Sequence, residues 1–175
     1  MNESCIEFTE PFDATVVARL KELGFDLDVH QLRGTSIACT GQPLCNYAVA
    51  ETKPKMREIV ERLESRFGTA VEGLSLGVDG CPHACAHHWT ADIGLQGTTA
   101  RQQEGQGKLE AYEVHLRGGY GADAAIGRPV LRRVAAEAVT DQVERIVARY
   151  LEDRAPAESF RAYVTRIPDA ELQAI

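Results

Sequence analysis

The sequence predicts an α+β fold: a mixed β-sheet with two strand-to-helix units carrying cysteine turns, a hairpin, and helices covering the sheet. Three observations point there. Two short apolar segments each run into a cysteine pair, in SIACTGQPLC (36–45) and LSLGVDGCPHAC (74–85). Apolar and polar residues then alternate over 91–97 and 111–116, with a polar, glycine-bearing link between them. Toward both ends the apolar period changes to 3.6, the stripe of a helix that buries one side.

Taken in chain order, Val16, Leu20 and Leu23 form a first helical stripe, closed by Gly24. Residues 29–38, VHQLRGTSIA, read as an extended segment that delivers Cys39. Cys45 is expected at or near a helix start, because Met56, Ile59, Val60, Leu63 and Phe67 follow on one helical face. Pro54 either kinks that helix or begins a second one, since it has no N–H for an interior bond. The second unit repeats the plan. Leu74, Leu76 and Val78 alternate as in a half-buried strand, and Asp79-Gly80 ends it. Pro82 suits the first turn of a short helix that carries Cys85 one turn on, so that both sulfurs face the same side.

Downstream, ADIGLQG (91–97) and AYEVHL (111–116) predict two antiparallel strands, GGYGADAAIGRP a flexible connection, and VLRRVAA a further short strand. Val139, Val143, Ile146, Val147, Tyr150 and Leu151 mark an amphipathic helix, and SFRAYV begins another after Pro156. The expected organisation is an N-terminal helical segment over 1–28, a core domain over 29–135, and C-terminal helices over 136–175 packed on that same domain.

A chain of 175 residues with 44% hydrophobic content can bury one core. Its net charge of -7 argues against nucleic acid as a partner, which would require clustered Lys and Arg. No apolar run approaches the roughly 18 residues that cross a bilayer, and MNESCIEFTEPF lacks the basic start and apolar stretch of a signal peptide. The expectation is therefore a cytoplasmic protein with no membrane partner, in a compartment where thiols stay reduced and cysteine clusters serve metal or catalysis. Cys39 and Cys45 enclose five residues, Cys81 and Cys85 enclose three, and Cys5 stands alone. Structural zinc pairs are mostly two to four residues apart, whereas ligand spacings for a [4Fe-4S] cube vary. Spacing favours the cube and leaves zinc, or unrelated redox cysteines, open.

The segments ACTGQPLCNYAVAETK and VDGCPHACAHHWTADIGLQG resemble the cluster-binding half of the siroheme-containing nitrite and sulfite reductases. The similarity runs from about Leu32 to the GGYG stretch and more loosely beyond. Besides the four cysteines it includes Thr40, Gly41, Glu51-Thr52-Lys53, Pro82 and Asp92-Ile93-Gly94-Leu95. The resemblance implies that Cys39, Cys45, Cys81 and Cys85 hold a [4Fe-4S] cluster and that Cys85 also bridges to the siroheme iron as its axial ligand. It implies an electron donor, ferredoxin or a flavoprotein, and a six-electron reduction of nitrite to ammonia or of sulfite to sulfide. No catalytic side chain is expected within this chain. In the family, the basic residues that bind the siroheme carboxylates and the oxyanion lie largely in an N-terminal half, which is the expected further partner; siroheme is expected to bind weakly without it. Two other readings stay open: a precorrin-3B synthase-like enzyme fragment, and a non-enzymatic electron-transfer or zinc-binding module.

One departure is His83, where family members usually carry Asn. His87 and His88 are expected as surface side chains or as groups just behind the ligands. His30 and His115 read as ordinary strand-associated residues, and Cys5 as a spectator thiol. Gly118, Gly119 and Gly121 read first as a turn. Arg101, Lys108, Arg117 and Arg128 read as solvated charges rather than partners of siroheme carboxylates.

Overall fold

Five strands form a single sheet in the order β1-β2-β3-β4-β5 in the computed structural model, which describes residues 14–25, 31–101, 107–121 and 124–175. The strands are β1 (Ile37–Ala38), β2 (Leu76–Asp79), β3 (Ile93–Arg101), β4 (Lys108–Leu116) and β5 (Arg128–Ala135). β1, β2 and β3 run parallel, and β3, β4 and β5 run antiparallel, so the sheet is mixed as expected. The hairpin is β3–β4, with Leu95 opposite Val114 and Ile93 opposite Leu116.

The helices are α1 (Ala14–Glu22), α2 (Gln31–Thr35), α3 (Lys53–Phe67), α4 (Val139–Asp153), α5 (Phe160–Arg166) and α6 (Asp169–Gln173). α3 forms the crossover from β1 to the parallel β2, and its predicted stripe buries Ile59, Val60 and Leu63. α4 buries Val139, Val143, Ile146, Val147 and Tyr150, and α5 adds Phe160, Tyr163 and Val164. All join the sheet residues Leu76, Val78, Leu95, Tyr112 and Val114 in one apolar cluster. Each fully buried Leu, Ile or Val contributes about 1.5–3 kcal/mol. Along the α3–α4 seam, Arg62 meets Asp141 (3.1 Å) and Glu144 (3.0 Å), and Thr140 donates to Glu58 (2.6 Å). The exposed Arg62–Asp141 pair is worth about 1 kcal/mol or less, whereas Glu144 is buried beneath Arg62, and the apolar contacts carry most of the seam. α1 has no buried residue. Among the described residues, no helix is long and apolar enough to cross a membrane.

Several local expectations need correction. The described part of the segment 29–38 is not extended throughout: Gln31–Thr35 turn as a helix that buries Leu32, with Thr35 Oγ1 donating to Leu74 O (2.6 Å), and only Ile37–Ala38 form a strand. Cys45 does not sit at a helix start. Residues 45–52 are a non-helical loop held by Val49 N to Gly80 O (2.8 Å), and α3 begins only at Lys53, with Pro54 inside its first turn rather than at a kink. β2 is not half-buried: all four of its residues are buried, because other chain covers both of its faces. The second cysteine pair is followed by no helix. Residues 81–90 form successive turns, with Ala84 (φ 55) and His87 (φ 56) in the left-handed region, where an L-residue helix does not continue.

Arg117 is also not a solvated charge. Its guanidinium is 11% exposed, donates to Ile167 O (2.9 Å) and pairs with Asp169 (2.6 Å), tying the end of β4 to α6. Gly118 is more than a turn residue, since a Cβ there would lie 2.2 Å from Ala91 O. His30 and Cys5 lie outside the described residues.

Candidate metal centre

Cys39 directly follows β1, and Cys81 follows β2 with only Gly80 between. Because β1 and β2 are parallel neighbours, their carboxyl ends lie side by side, the usual place for ligands in such sheets. Backbone bonds stitch the two loops together there. Cys39 N donates to Val78 O (3.0 Å), and Gly80 N donates to Cys39 Sγ (3.3 Å).

The first loop is fixed by its own turn chemistry. Cys45 N donates to Gly41 O (3.0 Å), Gln42 Nε2 to Ala48 O (3.0 Å), and Thr52 Oγ1 to Cys39 O (2.8 Å). Gly41 has φ +65, and a Cβ there would lie 2.2 Å from Thr52 Oγ1. Both its backbone angle and its neighbour require glycine. Glu110 and Tyr112 on β4 hold the far end: Glu51 N donates to Glu110 Oε1 (2.6 Å), and the Tyr112 hydroxyl donates to Glu51 O (2.5 Å).

The second loop is organised by Asp79, the last residue of β2. Its carboxylate accepts from Ala86 N (2.7 Å), His88 N (3.2 Å) and His88 Nδ1 (2.8 Å). Desolvation opposes the charge on Asp79, but the bonds from His88 and Ala86 outweigh it and hold the carboxyl below the usual range. These donors replace the carbonyl pairing a helix would have used. Beneath the loop, glycines form a floor: a Cβ on Gly77 would lie 2.8 Å from Ala86 O, one on Gly94 1.9 Å from His88 O, and one on Gly97 2.4 Å from Gly80 O. Glycine inside a strand marks such close backbone approach.

All four sequence-predicted cysteines line one cavity of about 580 Å³, together with Thr40, Tyr47, Lys53 and His83. All four are free thiols; Cys81 is buried, Cys39 and Cys45 are partly buried, and Cys85 is exposed. The Cys85 thiol is pushed up first by desolvation, then by Asp79, then by the other three cysteines. Deprotonated together, four such sulfurs would repel one another, and a cationic group between them would relieve that repulsion. Soft sulfur donors select zinc, copper(I) or an iron–sulfur cluster. Among the described residues, no group of three or more Cys, His, Asp or Glu side chains is set to hold a metal ion. A donor set of four sulfurs from two loops around one cavity suits an iron–sulfur cluster.

The histidines divide sharply. His83 Nδ1 is 3.4 Å from Cys81 Sγ, and its ring meets Tyr47 edge-on at 5.0 Å. His87 is exposed. His88 is fully buried, and its ring packs against that of His115 at 4.7 Å. His115 is therefore not an ordinary strand residue: it is 5% exposed, and among the described residues neither ring nitrogen has a hydrogen-bond partner. Burial, then His88, then Arg132 push its imidazole down to about 4.

That shift predicts an acid sensitivity. An unfolded histidine titrates near 6.5. Between about pH 6.5 and 4 the unfolded chain takes up a proton that folded His115 does not, so stability falls as pH drops through this window. We expect a loss of about 2–3 kcal/mol from this group between pH 7 and pH 4. Denaturant unfolding at both pH values checks this, and His115→Phe should remove that component.

Asp79, Gly77 and Gly97 are the residues around the cysteine loops to which the sequence reading gave no site role, whereas His88 was expected at the surface or just behind the ligands. The available signal was Gly77, Gly94 and Gly97 interrupting otherwise apolar strands.

Comparison with known proteins places these features. The family model for the nitrite and sulphite reductase 4Fe-4S domain matches residues 31–168. Sulfite reductase (ferredoxin) 1 of Mycolicibacterium paratuberculosis is 32% identical over 163 residues, which are 90% of this chain and 29% of that protein. The sulfite reductase (NADPH) hemoprotein beta-component of Afipia carboxidovorans is 28% identical over 84% of this chain and 24% of its own length. The solved structure of the Mycobacterium tuberculosis NirA protein superposes with a TM-score of 0.79 at 29% identity, covering 91% of this chain and 30% of that one. The chain thus spans less than a third of the length of these relatives.

Proposed function

The chain belongs to the nitrite and sulphite reductase 4Fe-4S domain family, and from that premise we propose that Cys39, Cys45, Cys81 and Cys85 hold a [4Fe-4S] cluster in the redox part of a reductase. The observation that carries this reading is the meeting of all four cysteines, from two separate loops, around one cavity. Cys85, the exposed member of the set, would be the sulfur that reaches siroheme iron. When bound, the cluster and siroheme would supply electron storage and multi-electron reduction of an oxyanion, sulfite to sulfide or nitrite to ammonia. The names of the relatives favour sulfite.

The chain's own residues position and tune. Gly80 N–H points at Cys39 Sγ and His83 Nδ1 lies against Cys81 Sγ; donors to cluster sulfurs raise the reduction potential. Thr52 and Gly41 fix the first loop, and Asp79 the second. The 1–28, 29–135 and 136–175 segmentation fits this assignment, with the cysteine loops in the central part. The oxyanion and the siroheme carboxylates would be contacted by protein outside this chain, and electrons would arrive from ferredoxin or a flavoprotein.

Anaerobic reconstitution tests the reading. The expected result is about four iron and four acid-labile sulfides per chain, with broad absorption in the 400 nm region, roughly as for other [4Fe-4S] proteins. A chain that binds one zinc and no labile sulfide would overturn it.

A further inference from the structure

Asp79 and His88 lie outside the set of ligands, yet both are almost completely buried beside the cysteine loops. They are 1% and 0% exposed, and their carboxylate and imidazole meet at 2.8 Å. Buried charge persists only where it is well bonded, and Asp79 accepts three hydrogen bonds, two of them from backbone N–H groups of the loop that follows Cys85. The His88 main chain is in turn pressed against Gly77 and Gly94, so the loop is fixed from above by the carboxylate and from below by the sheet.

The hydrogen bonding of the pair is one-sided. Among the described residues, Nδ1 of His88 donates to Asp79 and Nε2 meets no hydrogen-bond partner. The group packed against that ring from β4 is His115, whose imidazole burial pushes down, and Arg132 on β5 acts on His115 and pairs with Glu113 (3.3 Å). The Asp79 oxygens, accepting all three hydrogen bonds, have the surroundings of an ionised carboxylate.

We propose that Asp79 and His88 form a buried positioning pair that locks the Cys85 loop and sets one fixed negative charge behind it, lowering the potential at which a cluster held by Cys85 takes up an electron. The electrostatic half rests on the cluster reading above, and the lock does not. A negative charge near the cluster opposes its reduction, and in a poorly hydrated setting that opposition is weakly screened. His88 acts through Asp79, by fixing the orientation of the carboxylate.

Two measurements test this. In the reconstituted chain, a redox titration followed by electron paramagnetic resonance should find the midpoint of Asp79→Asn more positive than that of the parent. His88→Asn, whose side-chain amide can donate in place of Nδ1, should keep the parent midpoint. In the metal-free chain, amide exchange at Ala86 should quicken at least tenfold in His88→Leu and stay near the parent rate in His88→Asn. A parental midpoint in Asp79→Asn overturns the electrostatic role, and parental protection of Ala86 in His88→Leu overturns the lock. If no variant, nor the parent, assembles a cluster, the proposed function fails, while amide exchange still decides the lock.

Discussion

Replacing Cys39 with alanine should lower iron retention after reconstitution by at least about tenfold, whereas Cys5→Ser should leave it unchanged. Changes just behind metal ligands already cost about 10–100-fold in affinity, and loss of a ligand should cost no less. Cys39 is the informative member of the four because it joins the two loops. It follows directly on β1, its amide is bonded to Val78 on β2, and its sulfur accepts the N–H of Gly80, beside Cys81. Removing that sulfur takes away a corner of the socket and leaves Gly80 N–H facing a gap. Iron and labile sulfide, assayed on anaerobically desalted protein, provide the measurement. Full iron content in Cys39→Ala would mean that the cavity does not use all four thiols. Loss of iron in Cys5→Ser would mean that a cysteine far from the socket in sequence belongs to it.

What was legible in the sequence was the pattern that repeats. The period-two alternation of β3 and β4, the helical stripes of α3 and α4, and the two cysteine pairs each follow from a local rule, and each stands in the structure. The family resemblance added the expectation that the pairs share one site. What was not legible depends on groups far apart in the chain. Pro82 after Asp79-Gly80 reads locally as a helix start, but the donors that would have begun a helix at Ala86 and His88 go to the Asp79 side chain instead. Backbone donors accept whichever partner tertiary structure supplies, and a buried carboxylate is a stronger acceptor than a neutral carbonyl.

The same holds for β2 and for the histidines. Leu74, Leu76 and Val78 alternate as if one face were wet, yet the Cys85 loop folds back over Gly77 and covers that face. His88 and His115 lie 27 residues apart in the numbering, and only the pairing of β3 with β4 brings His115 level with Gly94, beneath the His88 backbone. No local period encodes that meeting. The glycines did signal it: three in adjoining strands leave a surface against which another backbone can lie.

That surface makes Gly94→Ala the substitution with the largest expected effect on stability. A Cβ at Gly94 would lie 1.9 Å from His88 O and 2.7 Å from its carbonyl carbon, and both are main-chain atoms of a loop pinned by Asp79. Gly94 itself cannot retreat, because it pairs with Gly77 on β2 and with His115 on β4. Relief requires moving the loop off the sheet, which we expect to cost about 3–5 kcal/mol, at the upper end of single-substitution effects. Gly73→Ala separates this clash from the general penalty of losing glycine: Gly73 has φ +83 and open space within 4 Å of where a Cβ would sit, so its replacement should cost only about 1 kcal/mol. Denaturant unfolding of the two variants gives the comparison. Equal losses would mean that the loop does not rest on Gly94. A large loss at Gly94 alone should be accompanied by loss of iron binding, because the displaced loop is the one that carries Cys81 and Cys85.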